Sequence, residues 1–131
     1  MKYLQPLTAI LVTILFISGC ATTDQKINTD IPPLKFFQLA QDAYDSRDYD
    51  LALEYYKTFI KEYPDEKAKI MEARYEIAFI HYKNNRYQQA EKLFQEIIDT
   101  YSEETSSAYP EWPKILSEKL LKKIEEETSA S

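Results

Sequence analysis

Cysteine and histidine, two residue types that often act as nucleophile and base, occur once each in this sequence. Cys20 is the only cysteine and His81 the only histidine among 131 residues. Each lacks a second cysteine or histidine to join it in catalysis, and a metal site needs several such ligands. The acidic residues are spread along solvated faces, without the close carboxylate pair of glycosidases. The sequence therefore predicts that the protein is not an enzyme and that it holds no metal ion and no cofactor.

The chemistry that Cys20 can undergo is indicated by what precedes it. Lys2 is followed by an uncharged apolar run over residues 7–17, which is the layout of a secretory signal peptide. The run is too short to cross a bilayer, since a spanning helix needs about 20 residues. The motif Ile-Ser-Gly-Cys at 17–20 resembles the lipobox of bacterial lipoproteins. That resemblance implies removal of residues 1–19 by cleavage between Gly19 and Cys20, and diacylglyceryl and N-acyl lipid on Cys20.

Two or three acyl chains would anchor the mature protein to a membrane without spanning it. Ala21 rather than an aspartate follows the cysteine. Among bacterial lipoproteins this implies the outer membrane, with the domain in the periplasm. The cell surface and the inner membrane stay open as alternatives.

Composition excludes several other ligands. Gly19 is the only glycine, so the mature chain cannot form the glycine-rich loops that cradle phosphates, and we expect no nucleotide. The net charge of −6 and the lack of a basic block argue against nucleic acid. A chain without glycine for tight turns favours helices over hairpins of strands. These features predict an all-α domain.

The residues after the cysteine divide into a tether, a domain and a tail. Residues 20–32 are polar and without periodicity, which predicts a lipidated N-terminus and a flexible tether. The helical domain is expected at 33–127, with units at about 33–66 and 67–104 and a last helix at about 111–126. Residues 128–131 are expected to form a disordered tail.

An internal repeat defines the two units. Residues from Ala40 align without a gap on those from Ala78, at an offset of 38. Apolar spacing within the units predicts helices at about 34–46, 49–62, 67–83, 87–100 and 111–126. Asn84 and Asn85 can supply the left-handed turn between the helices of the second unit. The aligned pairs are Tyr44 and Tyr82, Tyr49 and Tyr87, Ala52 and Ala90, Tyr56 and Phe94, Ile60 and Ile98, and Tyr63 and Tyr101.

The spacing of small and aromatic residues resembles the tetratricopeptide repeat. In the first unit the pattern is Ala40, Ala52, Tyr56 and the Tyr-Pro pair at 63–64. The resemblance implies a right-handed solenoid of two helix hairpins plus a capping helix. The unit of 38 residues exceeds the usual 34, and Ser102 replaces the second proline. With its lipobox, the chain is most similar to the repeat lipoproteins of the outer-membrane β-barrel assembly machine, although it has only about two repeats.

In this repeat family the first helix of each pair lines a concave groove. By position, the predicted partner groove consists of Leu34, Phe37, Gln41, Tyr44, Tyr75, Phe79 and Tyr82. Six of these recur at i, i+4 and i+7 and so form stripes on their helices, apart from a core stripe that includes Phe36 and Ala40. Two interpretations stay open: these aromatic residues bind a partner, or they only pack between helices.

The last helix is predicted to bury one apolar stripe. Its members are Trp112, Ile115, Leu116, Leu120 and Ile124. The acidic run at 125–127 opposes the helix dipole, so we expect the last turn to fray into solvent. The sequence leaves open whether this helix caps its own array or docks on another chain.

Together these patterns predict a membrane-anchored scaffold for protein–protein interaction in the bacterial envelope, with a role in outer-membrane protein assembly. The expected partner is a protein or a peptide. One alternative is a lipoprotein that binds a small ligand or a lipid, which would need an enclosed pocket. Another alternative is a structural module that works by oligomerising.

Overall fold

The computed structural model describes residues 27–103 and 109–129 as five α-helices. They are α1 (Pro33–Asp45), α2 (Tyr49–Glu62), α3 (Lys67–Lys83), α4 (Tyr87–Glu103) and α5 (Trp112–Ser129). No strand occurs in these residues, and every helix lies within about three residues of its predicted bounds, which confirms the all-α prediction. The signal peptide, Gly19 and Cys20 lie outside the described residues, as do residues 104–108 and 130–131.

The helices stack in chain order. α1 packs against α2 and α3 packs against α4, each pair forming a hairpin, and α2 contacts α3 to join the two. α5 packs on α4 and also contacts α3, so it occupies the position that the first helix of a third unit would take. This nearest-neighbour stacking is that of a helical solenoid. None of the helices described is long and apolar enough to cross a membrane.

The two hairpins turn through the same backbone motif, one repeat apart. Arg47 and Asn85, separated by the repeat offset, are the non-glycine residues with positive φ in the described chain, at 63° and 57°. In each turn, the residue that follows the one with positive φ donates its amide hydrogen back to the helix. In the first turn, the amide of Asp48 donates to the carbonyl of Ala43. This is the Schellman motif, in which the residue with positive φ is usually glycine. Asn85 confirms the predicted left-handed turn, and in the first unit an arginine takes that conformation.

We expect Arg47→Gly to raise the free energy of unfolding by about 1 kcal/mol, because glycine adopts the left-handed region without the clash of a Cβ atom. Urea unfolding followed by circular dichroism measures the change. Ser46→Gly is the matched control, since Ser46 has right-handed helical geometry with φ −77°. A gain of equal size in both variants would contradict the explanation from φ.

The core divides into two clusters that share α3. Ala73, Ile77 and Ile80 of α3 face the first cluster, with the buried residues of α1 and α2. Met71, Tyr75 and Ala78 face the second, with α4 and α5. Seven of the 17 residues of α3 are buried, as expected for the central helix of a solenoid. Fully buried alanines let the helices approach closely: Ala40, Ala52, Ala78 and Ala90.

Part of the predicted flexible tether is docked. Ile27 and Ile31 are half-buried against the first cluster. The hydroxyl of Tyr63 donates a hydrogen bond of 2.6 Å to the carbonyl of Ile31. Residues 27–32 therefore belong structurally to the first hairpin, because two isoleucines in a polar stretch find apolar surface there.

The buried face of α5 differs from the predicted one. Pro113, Ser117 and Ile124 are buried, with Leu116 and Leu120 partly so. Trp112 is 37% exposed and Ile115 is 55% exposed, so their predicted inward position is wrong. Residues two apart on a helix point about 160° away from each other, and the small Ser117 is the one that is buried. Ile115 consequently points outward.

The end of α5 also differs from the expectation. The helix continues to Ser129, so Thr128 and Ser129 are helical and not part of a disordered tail. Glu127 is half-buried and accepts a hydrogen bond of 3.3 Å from the hydroxyl of Tyr82. Tertiary contact thus outweighs the unfavourable helix dipole at this position.

Candidate functional site

α1, α3 and α5 lie side by side and parallel on one side of the solenoid. Lys69, at the start of α3, lies over the ring of Phe37 near the start of α1. Further along both helices, the rings of Tyr44 and Phe79 are 6.4 Å apart between centroids. α3 and α5 also run in the same direction, because Lys123 in the later part of α5 lies over the ring of Tyr82 near the end of α3. We call this side the first-helix face.

A continuous row of aromatic rings crosses this face. From Tyr44 on α1 the row passes to Phe79, then to Tyr75 at 6.1 Å and to Trp112 on α5 at 5.1 Å between centroids. Tyr82 branches from Phe79 at 6.3 Å. These separations lie in the range of favourable aromatic pairs. The aromatic row, comprising Tyr44, Phe79, Tyr75, Trp112 and Tyr82, links all three first helices.

Four of the seven predicted groove residues meet in the aromatic row. Tyr44, Phe79 and Tyr82 are half-buried and keep part of their rings in solvent, whereas Tyr75 is buried and supports the row from below. Packing between helices therefore accounts for Tyr75, and both interpretations stay open for the three half-buried rings. Whether the exposed ring surfaces hold a partner stays a prediction.

The other three predicted residues lie outside the row. Phe37 packs edge-on against Tyr56 and Phe59, at 5.5 Å and 4.9 Å between centroids, and so contributes mainly to the first core cluster. Leu34 is 63% exposed. Gln41 is exposed and donates a hydrogen bond of 3.0 Å to Asp45.

Two residues of this face are not predicted by the sequence pattern. The apolar stripe of α5 places Trp112 in the core, yet it lies at the end of the aromatic row. Glu76 follows Tyr75 on α3, and a single glutamate in a helix rich in charge carries no recognisable signal in the sequence.

Glu76 is the unusual charge of the face. It is half-buried and makes no hydrogen bond or ion pair with the described residues. Burial, and secondly the carboxylate of Glu72, raise the pKa of Glu76. Burial and the charge of Glu76 in turn raise the pKa of Tyr75 to about 12. Burial and the same charge also raise the pKa of Tyr56.

His81 behaves as a packing residue. It is buried, and it stands one repeat after the buried Ala43. Burial first, then the charges of Arg86 and Lys57, lower its pKa, which keeps the ring neutral. Its Nδ1 atom has no hydrogen-bond partner. Within residues 27–103 and 109–129, no group of histidine and acidic residues could hold a metal ion.

A cleft of about 410 Å³ opens between α3 and α4, away from the aromatic row. It shares no residue with the predicted groove. The alternative of a small ligand held by the groove aromatics therefore gains no support from this cleft. Its lining residues are Arg74, Ile77, Leu93, Glu96, Ile97, Asp99 and Thr100.

Comparison with known proteins agrees with the stacking of the helices. The tetratricopeptide repeat family model matches residues 37–105, more than half of the chain. A relative is an uncharacterised protein of Treponema pallidum (strain Nichols), 26% identical over 111 residues. The alignment covers 82% of this chain and 44% of the relative, so the chain spans less than half of that protein's length. No solved structure matches. The chain belongs to the tetratricopeptide repeat family.

Proposed function

We propose that the protein is a membrane-anchored scaffold that holds a segment of a partner protein on its first-helix face. Tetratricopeptide repeats generally mediate protein–protein interaction. The observation that carries the proposal is the aromatic row, because Tyr44, Phe79 and Tyr82 keep ring surface in solvent while a buried layer fixes their positions. Rigid rings with hydroxyls offer large contact area with few rotamers to restrict.

We propose anchoring through lipid on Cys20, supported by the lipobox resemblance at residues 17–20. Six residues separate Cys20 from Ile27, which packs on the first hairpin. The seven steps from Cys20 to Ile27 span about 25 Å at most when the chain is fully extended. A lipidated Cys20 would thus hold the first hairpin close to the membrane surface.

We also propose, from Ala21 and the resemblance to repeat lipoproteins of the assembly machine, that the domain faces the periplasm and takes part in outer-membrane protein assembly. Binding and not catalysis would be its activity. Repeats of this family are typically non-catalytic, and the neutral, buried His81 gives no accessible base.

Photo-cross-linking in the native host tests the face. A benzoylphenylalanine residue is placed in the full-length chain at Gln41, which is exposed next to Tyr44. The matched position is Lys92, equally exposed but on α4, the second helix of its hairpin. We expect a discrete protein adduct from position 41 and little or none from position 92. Equal adduct patterns from the two positions would contradict binding on the first-helix face.

The same experiment in a Cys20→Ala chain tests the anchor. We expect palmitate labelling to be lost, the protein to leave the membrane fraction, and the adduct from position 41 to fall at least about tenfold because the local concentration falls. Retention of label in Cys20→Ala would refute lipidation at this residue. Loss of label with an undiminished adduct would show that the anchor is not needed for binding.

A further inference from the structure

At both ends of the first-helix face, the chain places a lysine over an aromatic ring and pairs it with a glutamate. On the α1 side, the ammonium of Lys69 lies 5.4 Å from the ring centroid of Phe37 and 2.7 Å from the carboxylate of Glu72. On the α5 side, the ammonium of Lys123 lies 5.7 Å from the ring centroid of Tyr82 and 3.9 Å from the carboxylate of Glu127. Both arrangements combine a cation–π contact with an ion pair.

At the centre of the first-helix face, the chain supplies aromatic rings and the carboxylate of Glu76 but no lysine that pairs with this carboxylate. Glu76 lies between the two end positions in the sequence of α3, one residue after Tyr75. Glu76 precedes Phe79 by three residues on α3, so the two side chains are neighbours on the helix surface, and the ring of Phe79 lies 6.4 Å from that of Tyr44 on α1. After burial, the charge of Glu76 also contributes to the raised pKa of Tyr44, Tyr56 and Tyr75. Among the described residues, Glu76 has no cation within ion-pair distance.

A bare carboxylate at this place is unfavourable in the free protein. It is half-buried, and the carboxylate of Glu72 adds repulsion. An incoming cation would gain from the charge of Glu76 and from the ring faces of Tyr44 and Phe79 at the same time. An incoming anion would be repelled.

We propose that the protein segment bound on the first-helix face presents a lysine or arginine side chain to Glu76. This inference rests on the proposed function and adds the chemistry of the partner. The ammonium or guanidinium pairs with the Glu76 carboxylate and lies against the rings of Tyr44 and Phe79. The partner thereby completes at the centre the arrangement that the chain's own lysines make at both ends.

Titration of the folded full-length chain with defined peptides tests the proposal. The probes are acetyl-Leu-Xaa-Leu-amides in which Xaa is arginine, lysine, norleucine or glutamate, at one ionic strength, followed by nuclear magnetic resonance. Norleucine keeps the methylenes of lysine and lacks its charge. We expect the arginine and lysine peptides to shift amides around Tyr44 and Glu76, with at least about tenfold tighter binding than the norleucine peptide. The glutamate peptide should bind weakest.

The variant pair Glu76→Gln and Glu91→Gln completes the design. Both remove one negative charge, but Glu91 is exposed on α4. Glu76→Gln should abolish the preference for lysine over norleucine without lowering the thermal midpoint, because Glu76 makes no internal bond and burial opposes its charge. Glu91→Gln should change neither the preference for lysine nor the thermal midpoint. An undiminished lysine preference in Glu76→Gln would overturn the inference.

Two further outcomes separate this inference from the proposed function. Equal binding of lysine and norleucine peptides at the face would overturn the cation preference and leave the face as a binding surface. Failure of every peptide to shift amides of the face would also overturn the inference, and the proposed function would then be judged by the cross-linking from position 41 alone.

Discussion

Replacing Phe94 by alanine is expected to lower the free energy of unfolding by about 3–5 kcal/mol. Phe94 is fully buried in the second core cluster, and its ring lies 5.9 Å from that of Tyr75 between centroids. The same cluster contains Ile124 of α5. Truncation would therefore leave a cavity among α3, α4 and α5. The total free energy of unfolding of a domain of this size is only about 5–15 kcal/mol.

Urea unfolding followed by circular dichroism measures this loss. Phe94→Leu keeps most of the volume, and we expect it to cost less than Phe94→Ala. Leu34→Ala serves as the exposed control, since Leu34 is 63% exposed and its truncation should change stability by no more than about 0.5 kcal/mol. A cost for Phe94→Ala as small as that of the control would mean that the second cluster is not a close-packed core.

The sequence predicts this core well because two of the repeated pairs combine small and large side chains that pack between helices. Helical periodicity and self-alignment single out Ala52, Tyr56, Ala90 and Phe94, and all four are buried. The helix bounds follow as well, since the turns lie at positions separated by the repeat offset, with positive φ at Arg47 and at Asn85. Small residues and large rings at a fixed helical spacing are typical of close contacts between packed helices.

The first-helix face is predicted only in part, because the faces of a solenoid are decided by contacts between units. The stripe at i, i+4 and i+7 correctly places Tyr44, Phe79 and Tyr82 together on one side. It cannot show that Phe37 turns into the first core cluster, because that depends on how closely α2 approaches. Glu76 escapes prediction because its distinguishing property, burial without a cation, exists only in the folded chain.

The errors at α5 have a single physical origin. An apolar stripe on an isolated helix leaves its rotation undetermined by about one residue, and the neighbouring helix decides it. Here Ser117 faces inward, so that α5 approaches closely, while Ile115 turns to solvent and Trp112 joins the aromatic row. A serine in the buried position of an amphipathic helix is hard to predict, since its hydroxyl must be satisfied; it donates to the carbonyl of Pro113 at 2.6 Å.

The docking of α5 on its own array can be tested with two isoleucines of that helix. Ile124 is 2% exposed in the second cluster, and Ile115 is 55% exposed on the opposite side. Ile124→Asp should lower the free energy of unfolding by more than about 3 kcal/mol, because the new carboxylate would be buried among apolar side chains without a cation. Ile115→Asp should change it by no more than about 0.5 kcal/mol.

Trp112 supplies the readout for α5 itself. It is the only tryptophan of the chain, and its ring packs edge-on against Tyr75 at 5.1 Å between centroids. In Ile124→Asp, we expect its emission to shift to longer wavelength at urea concentrations that leave the first hairpin helical, because α5 leaves α3 and α4 first. Acidification should partly reverse the effect, since a buried carboxyl has a raised pKa and becomes neutral as the pH falls. If the two variants unfold alike, α5 does not cap this array, and the edge of the aromatic row at Trp112 would belong to a contact with another chain.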